Sequence, residues 1–176
     1  MSYGLGKIES IAASGSWSRG HVGDIRDLFY NTIKDAQYNV KITTFSLGRD
    51  NDEVNEFFEI LEELLKNQRE VHLIVNDDGK KDGTCSLHAK RKIKHLEKKF
   101  PEKFSHFYFQ STKSRILHAK LTIVDDKVAL VGSANISKNA LVSNYEIMLK
   151  VGSPAAATFS LMFDELSKQL EEENNV

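Results

Sequence analysis

The stretch Ile116-Leu117-His118-Ala119-Lys120-Leu121-Thr122-Ile123-Val124, followed by Asp125-Asp126-Lys127 and then Val128-Ala129-Leu130-Val131-Gly132-Ser133-Ala134-Asn135, decides how this chain is read. Two apolar, β-branched runs flank a short turn, which predicts paired strands over 118–124 and 128–131. Side chains alternate along a strand, so His118 and Lys120 are expected on one face. Apolar residues fill most other positions, and a polar pair on a buried strand needs a chemical reason. An imidazole changes charge near neutral pH and can serve as nucleophile or general acid. A neighbouring ammonium favours the neutral ring, the form that attacks. It can also bind a phosphate oxygen and stabilise charge developing there.

The residues after the second strand extend this chemistry. Gly132 permits close backbone approach to a ligand. Ser133 can donate a hydroxyl hydrogen bond, and Asn135 an amide one, to a second phosphate oxygen. Glu146 interrupts the apolar alternation of Tyr145, Ile147, Leu149 and Val151. A carboxylate there, packed beside His118, would fix the tautomer of the ring and stabilise its protonated form.

Further out, segments of two periodicities alternate. Strands are expected at Ile8 to Ala13, Val40 to Leu47, Val71 to Val75, Phe104 to Phe109 and Tyr145 to Val151. Helices are expected after the caps Asp24 and Asp52, from about Ser86 to Phe100, and from Ala156 to Leu170. This order predicts an α/β fold with a mixed, mainly parallel sheet and helices on both faces, the later strands being joined by connections short enough for antiparallel pairing. At 176 residues and 40% hydrophobic content, with no internal repeat or composition shift, one domain over 1–176 is expected. Its tail, 171–176, is expected to fray.

Composition narrows the function. The formal net charge of −1 provides no global attraction to nucleic acid, so phosphate recognition must be local. One cysteine, Cys85, excludes an intramolecular disulfide and a multi-cysteine zinc site, and the six histidines are scattered rather than spaced as ligands. No metal or other cofactor is therefore expected. There is neither a signal-like start nor a run of apolar residues long enough to span a membrane, so a cytoplasmic setting without membrane association is expected.

His118-x-Lys120, four residues, Asp125, six residues, then Gly132-Ser133-x-Asn135 resembles the HKD motif of the phospholipase D superfamily. Six fixed positions match, for which chance odds are on the order of one in a million. The α/β order and Ser143-Asn144-Tyr145-Glu146 are similar to the small single-motif nucleases of that family. Phe45-Ser46 sits where those nucleases carry an aromatic-serine pair, which makes Ser46 a candidate substrate contact. The resemblance implies metal-independent hydrolysis through a phosphohistidine, with a second histidine protonating the leaving oxygen. Family members use two such motifs and this chain has one. By implication, two copies pair as a homodimer and share the site, each contributing His118, Lys120 and Asn135. Asp125 is assigned to the scaffold, because strand parity puts it opposite His118 or in the turn.

His88-Ala89-Lys90 repeats the triplet without the downstream residues, in a helical pattern where i and i+2 diverge. It reads as a decoy. The basic run Lys80, Lys81, Lys90, Arg91, Lys92, Lys94, Lys98, Lys99 and Lys103 reads either as a solvated helix face or as a track for a phosphodiester backbone. Lys113 and Arg115, just before the motif, are candidate rim contacts, and Trp17 and Arg19 are candidates for stacking on a base or head group. The leading expectation is a nuclease with DNA or RNA as substrate. The alternatives are a phospholipase D-type hydrolase of lipid or small phosphodiesters, and a nuclease subunit of a larger defence or repair complex.

Overall fold

The computed structural model describes residues 6–16 and 20–174. Its strands are β1 Ile8–Ser14, β2 Gly23–Asp24, β3 Asn39–Thr44, β4 Glu70–Asp77, β5 Phe104–Gln110, β6 Leu121–Val124, β7 Val128–Gly132 and β8 Glu146–Gly152. The α-helices are α1 Ile25–Lys34, α2 Asp52–Lys66, α3 Leu87–Lys99 and α4 Ala155–Asn174, and a π-helical turn spans Asn139–Ser143. All eight strands form one mixed sheet in the order β2-β1-β8-β7-β6-β3-β4-β5.

Sheet direction follows from the connections. Helices α2 and α3 carry the chain across a sheet face between β3, β4 and β5, and these strands pair in parallel. The β6–β7 turn and the links beyond it support antiparallel pairs: β3 with β6, β6 with β7, β7 with β8, and β8 with β1. The expected mixed sheet is present, but the mainly parallel expectation is corrected: among the described residues three strand pairs are parallel and four antiparallel. The short strand β2, which pairs in parallel with β1, carries no pattern that would announce it.

Alternating side chains divide the core between the two faces. Val40, Ile42, Val71, Leu73 and Val75 pack against α1, α2 and α3, while Ile74, Ile123 and Ala129 pack beneath α4. Helix α4 covers its face with Ala156, Phe163 and Leu170, assisted by Phe159 and Leu166, an apolar stripe at helical spacing. Lys41 crosses to α4 from β3, its Nζ donating to Ser160 Oγ at 2.6 Å and lying 2.9 Å from Asp164. Caps set the helix starts. The Asp24 side chain accepts from the Arg26 and Asp27 amides, and Ser86 accepts from Ala89. Asn51, not Asp52, caps α2 by accepting from the Val54 amide. Helix α4 continues to Asn174, and Glu173 forms a two-pronged ion pair with Arg115 at 3.0 and 3.2 Å.

Two histidines off the motif tie the fold to pH. Burial holds His72 and His106 below the usual imidazole range, opposed by Glu70 and Glu97 respectively. Below the ordinary value of 6.5, the unfolded chain therefore binds protons that the native rings refuse. Their contribution is full above that value and is lost as pH falls below it, until the native rings protonate as well. The urea midpoint is expected to drop between about pH 7 and about pH 5. In His106→Phe that limb should flatten; an unchanged slope would remove His106 as its cause.

Candidate active site

The antiparallel reversals bring several chain segments to one sheet edge. The entry to β6, the exit of β7, the start of β8 and the exits of β1, β3 and β4 all lie there. That edge holds His118, Lys120, Ser133, Asn135, Glu146, Phe45 and Ser46 together. The opposite edge holds the β6–β7 turn and, with it, Asp125.

His118 and Lys120 precede β6 instead of lying in it, because β6 begins at Leu121. His118 is exposed, not buried on a strand as expected. The pair still meets. Lys120 Nζ lies 3.3 Å from His118 Nε2 and donates to the His118 carbonyl at 2.8 Å, so Nε2 turns its lone pair toward the ammonium. Phe45 supports both groups. Its ring centroid is 4.8 Å from the imidazole, and Lys120 Nζ sits over its face at 5.3 Å. Partial burial lowers the pKa of Lys120, opposed by the Glu146 carboxylate. A lysine that is partly desolvated gains more from an arriving phosphate than one in open water.

The segment bearing His118 has no regular structure, so its placement depends on single bonds. Asn76, fully buried at the end of β4, accepts from the Leu117 amide through Oδ1 at 3.0 Å, while its Nδ2 donates to Thr84 Oγ1 at 3.1 Å. The strand expected from sequence stops at Val75 and gives Asn76 no role. A lone amide closing the apolar run Val71 to Val75 was the available signal, and nothing in sequence named its partner.

Asn135 Oδ1 accepts from the Ser46 amide at 3.1 Å, which orients the side chain, and among the described residues Nδ2 has no hydrogen-bond partner. Three expectations are corrected. Among the described residues Glu146 makes no hydrogen bond to His118, β7 lying between β8 and β6. Its carboxylate instead accepts from the Ser133 hydroxyl. Ser133 thereby commits its proton to Glu146 and accepts from the Ile147 amide at 3.2 Å, so the hydroxyl is not offered to phosphate in this arrangement. Gly132 accommodates a strand rather than a ligand, because a Cβ there would stand 2.2 Å from the Ile147 carbonyl oxygen of β8.

The rim divides in the same way. Arg115 is held by Glu173 and stacks on Phe109 at 5.1 Å, which turns its charge toward α4 and away from the expected rim contact. Lys113 is exposed and has no ion pair among the described residues. Trp17 and Arg19 lie outside the described residues. In the basic run, Lys90 pairs with Asp77, Lys99 with Glu62 and Lys103 with Glu70, which neutralises much of it. The decoy triplet separates: His88 Nε2 is 2.9 Å from Asn55 Oδ1, while Lys90 reaches Asp77 at 2.7 Å.

Asp125 is scaffold. In a left-handed conformation, φ 55°, it accepts from the Gln37, Tyr38 and Asn39 amides at 2.9, 2.8 and 3.0 Å, stitching the β6–β7 turn to the start of β3. Asp125→Ala is expected to cost about 2 kcal/mol in urea unfolding, since three amides lose a charged acceptor. Turnover per folded molecule should change little. A large loss of kcat at unchanged stability would contradict this assignment.

Residues 29–173 match the family model described as cardiolipin synthase, PLD-like domain, PLD being phospholipase D. The chain belongs to this phospholipase D-like family. Its fold is shared with NucT from Helicobacter pylori, at TM-score 0.66 and 22% identity over 93% of this chain and 94% of that one. It is shared also with Nuc, a phospholipase D family member from Salmonella typhimurium, at TM-score 0.67 and 17% identity over 89% and 92%. The DISARM protein DrmC of Bacillus paralicheniformis is 28% identical over 138 residues, 77% of this chain and 53% of that protein. The chain thus spans about half the length of that relative. Among the described residues, no helix is long and apolar enough to cross a membrane.

Proposed function

We propose that this chain is a nuclease that hydrolyses phosphodiester bonds in DNA or RNA, without a metal, through a covalent intermediate on His118. One observation carries the reading: an exposed imidazole whose Nε2 lone pair faces an ammonium, beside an asparagine amide with an unused donor, all at one sheet edge. Nε2 attacks phosphorus while Lys120 and Asn135 hold the non-bridging oxygens, and the P–O bond to the leaving oxygen breaks as the N–P bond forms. A second imidazole gives that oxygen its proton. Water then attacks phosphorus, the N–P bond breaks, and the same imidazole takes up the proton of the water.

In this reading the second imidazole is His118 of another copy, each copy contributing the one motif that residues 118–135 carry. The surface beside the site suits such a contact. Ile11 and Ile147 lie exposed on the α4 side of the β1–β8 edge, Ile147 directly after Glu146. Similarity to DrmC favours a second reading, in which the chain acts as the nuclease subunit of a larger defence complex. The family's description also keeps lipid phosphodiesters among the substrates to be tried.

The test is to incubate purified protein with single- and double-stranded DNA, RNA and a phosphatidylcholine analogue, with and without EDTA, beside His118→Ala. Cleavage of nucleic acid that withstands EDTA and disappears in the variant is expected. Turnover of the lipid alone would sink the nuclease reading, and abolition by EDTA would sink the metal-free one.

A further inference from the structure

His118, Lys120 and Asn135 account for one diester, whereas a polymer presents further phosphates on either side of it. A groove of about 390 Å³ opens next to the site. Its walls include Ser46, Arg49, Ser137 and Lys138, with Asp82 as the acidic member. Ser46 is common to both places: its amide donates to Asn135 Oδ1, and it follows Phe45, on which His118 packs. The groove therefore adjoins the site at Ser46.

Its framework is rigid. Leu47 bridges to Cys85 on one side and to Ile136 on the other, and the Gly48 amide donates to the Ile136 carbonyl at 2.9 Å. Arg49 therefore leaves the β3–α2 connection from a fixed backbone, and Lys138 does the same from the segment that follows Asn135. Among the described residues, neither side chain has an ion pair or hydrogen bond. That distinguishes them from Lys90, Lys99 and Lys103 of the basic run, whose charges are taken by Asp77, Glu62 and Glu70. Arg91 and Lys92 line a separate groove between α2 and α3 beside Glu59 and Glu62. In a chain of net charge −1, Arg49 and Lys138 facing one groove beside the nucleophile supply a local positive field.

We infer that this groove binds the phosphodiester backbone of a nucleic acid strand immediately beside the bond being cut. Arg49 and Lys138 grip the neighbouring phosphate from opposite walls, and the hydroxyls of Ser46 and Ser137 complete its contacts. The inference rests on the nuclease reading and makes it specific, because a small diester or a lipid head group has no neighbouring phosphate to place there.

The experiment measures anisotropy of a labelled 12-nucleotide DNA strand on the His118→Ala protein, with Arg49→Gln/Lys138→Gln added in one sample and Lys168→Gln, from the exposed face of α4, in another. Cleavage of the same strand and of bis(4-nitrophenyl) phosphate is followed with His118 intact. Loss of both groove charges is expected to weaken strand binding at least about tenfold and to flatten its log–log salt dependence by about 0.7, the value for one phosphate no longer neutralised. KM for the strand should rise by a similar factor, well beyond any change on the small diester. Lys168→Gln should match its parent, and the charge-preserving Arg49→Lys/Lys138→Arg should restore binding. If the strand is cut but the groove variant binds it as Lys168→Gln does, the groove assignment is wrong and the nuclease reading stands. If only the small diester is hydrolysed and the strand is neither bound nor cut, the nuclease reading falls and takes the groove with it.

Discussion

Phosphodiester cleavage by His118→Ala is expected to be at least about ten-thousandfold slower than by the parent protein, with no change in urea midpoint. The two halves of this expectation have separate causes. His118 is exposed and lies outside regular structure, so its truncation removes little packing; the chain there is held by the Asn76 bond to the Leu117 amide, which the substitution leaves intact. Catalysis loses the atom that bonds phosphorus, and no neighbouring side chain replaces it. Lys120→Ala should be milder, a loss of about a hundredfold to a thousandfold, since it removes one stabilising charge and leaves the nucleophile in place. Quenching the parent protein with a labelled strand should trap a protein–nucleic acid adduct that is stable to alkali and labile to acid, as an N–P bond is. The adduct should be absent from His118→Ala. Rapid cleavage by well-folded His118→Ala, or an adduct persisting in it, would assign the nucleophile elsewhere.

The sequence was most informative where chemistry and spacing coincide along the chain, and least where partners come from separate segments. His118, Lys120 and Asn135 were legible because their residue types at those intervals have few other uses. The structure brings them together even though the strand carrying the first two begins later than the apolar run suggests. Asp125 was legible through parity and turn geometry. The role expected of Glu146 was wrong because the order of β6, β7 and β8 within the sheet cannot be read from periodicity, and the intervening β7 is what hands its carboxylate to Ser133. Gly132 was misread for a related reason: the atom nearest it belongs to β8, fifteen residues on. Arg115 looked like a rim residue by proximity in sequence, until α4 extended far enough to present Glu173. The sheet's parallel part was visible in its crossover helices, whereas its antiparallel part has connections of uninformative composition.

A mixed pair made of one intact copy and one His118→Ala copy offers the sharper test of how the site is composed. Should each chain hold a complete site, a mixed pair keeps one working site and about half the activity of the intact pair. Where the reaction needs one His118 as nucleophile and the other as acid, the mixed pair retains one imidazole and must forgo one of the two roles. Losing the proton donor alone costs at least about a hundredfold. Co-expressing the two versions with different tags and purifying through both tags isolates the mixed pair, and its turnover is expected below about one-hundredth of the intact pair. Random mixing gives the same answer in another form, activity falling as the square of the intact fraction and not in proportion to it. The single motif, the exposed ring and the apolar residues Ile11 and Ile147 beside Glu146 all favour the quadratic outcome. Half-activity in the doubly purified pair would mean that one chain supplies both proton donor and nucleophile, and that the second imidazole has to be found within this chain.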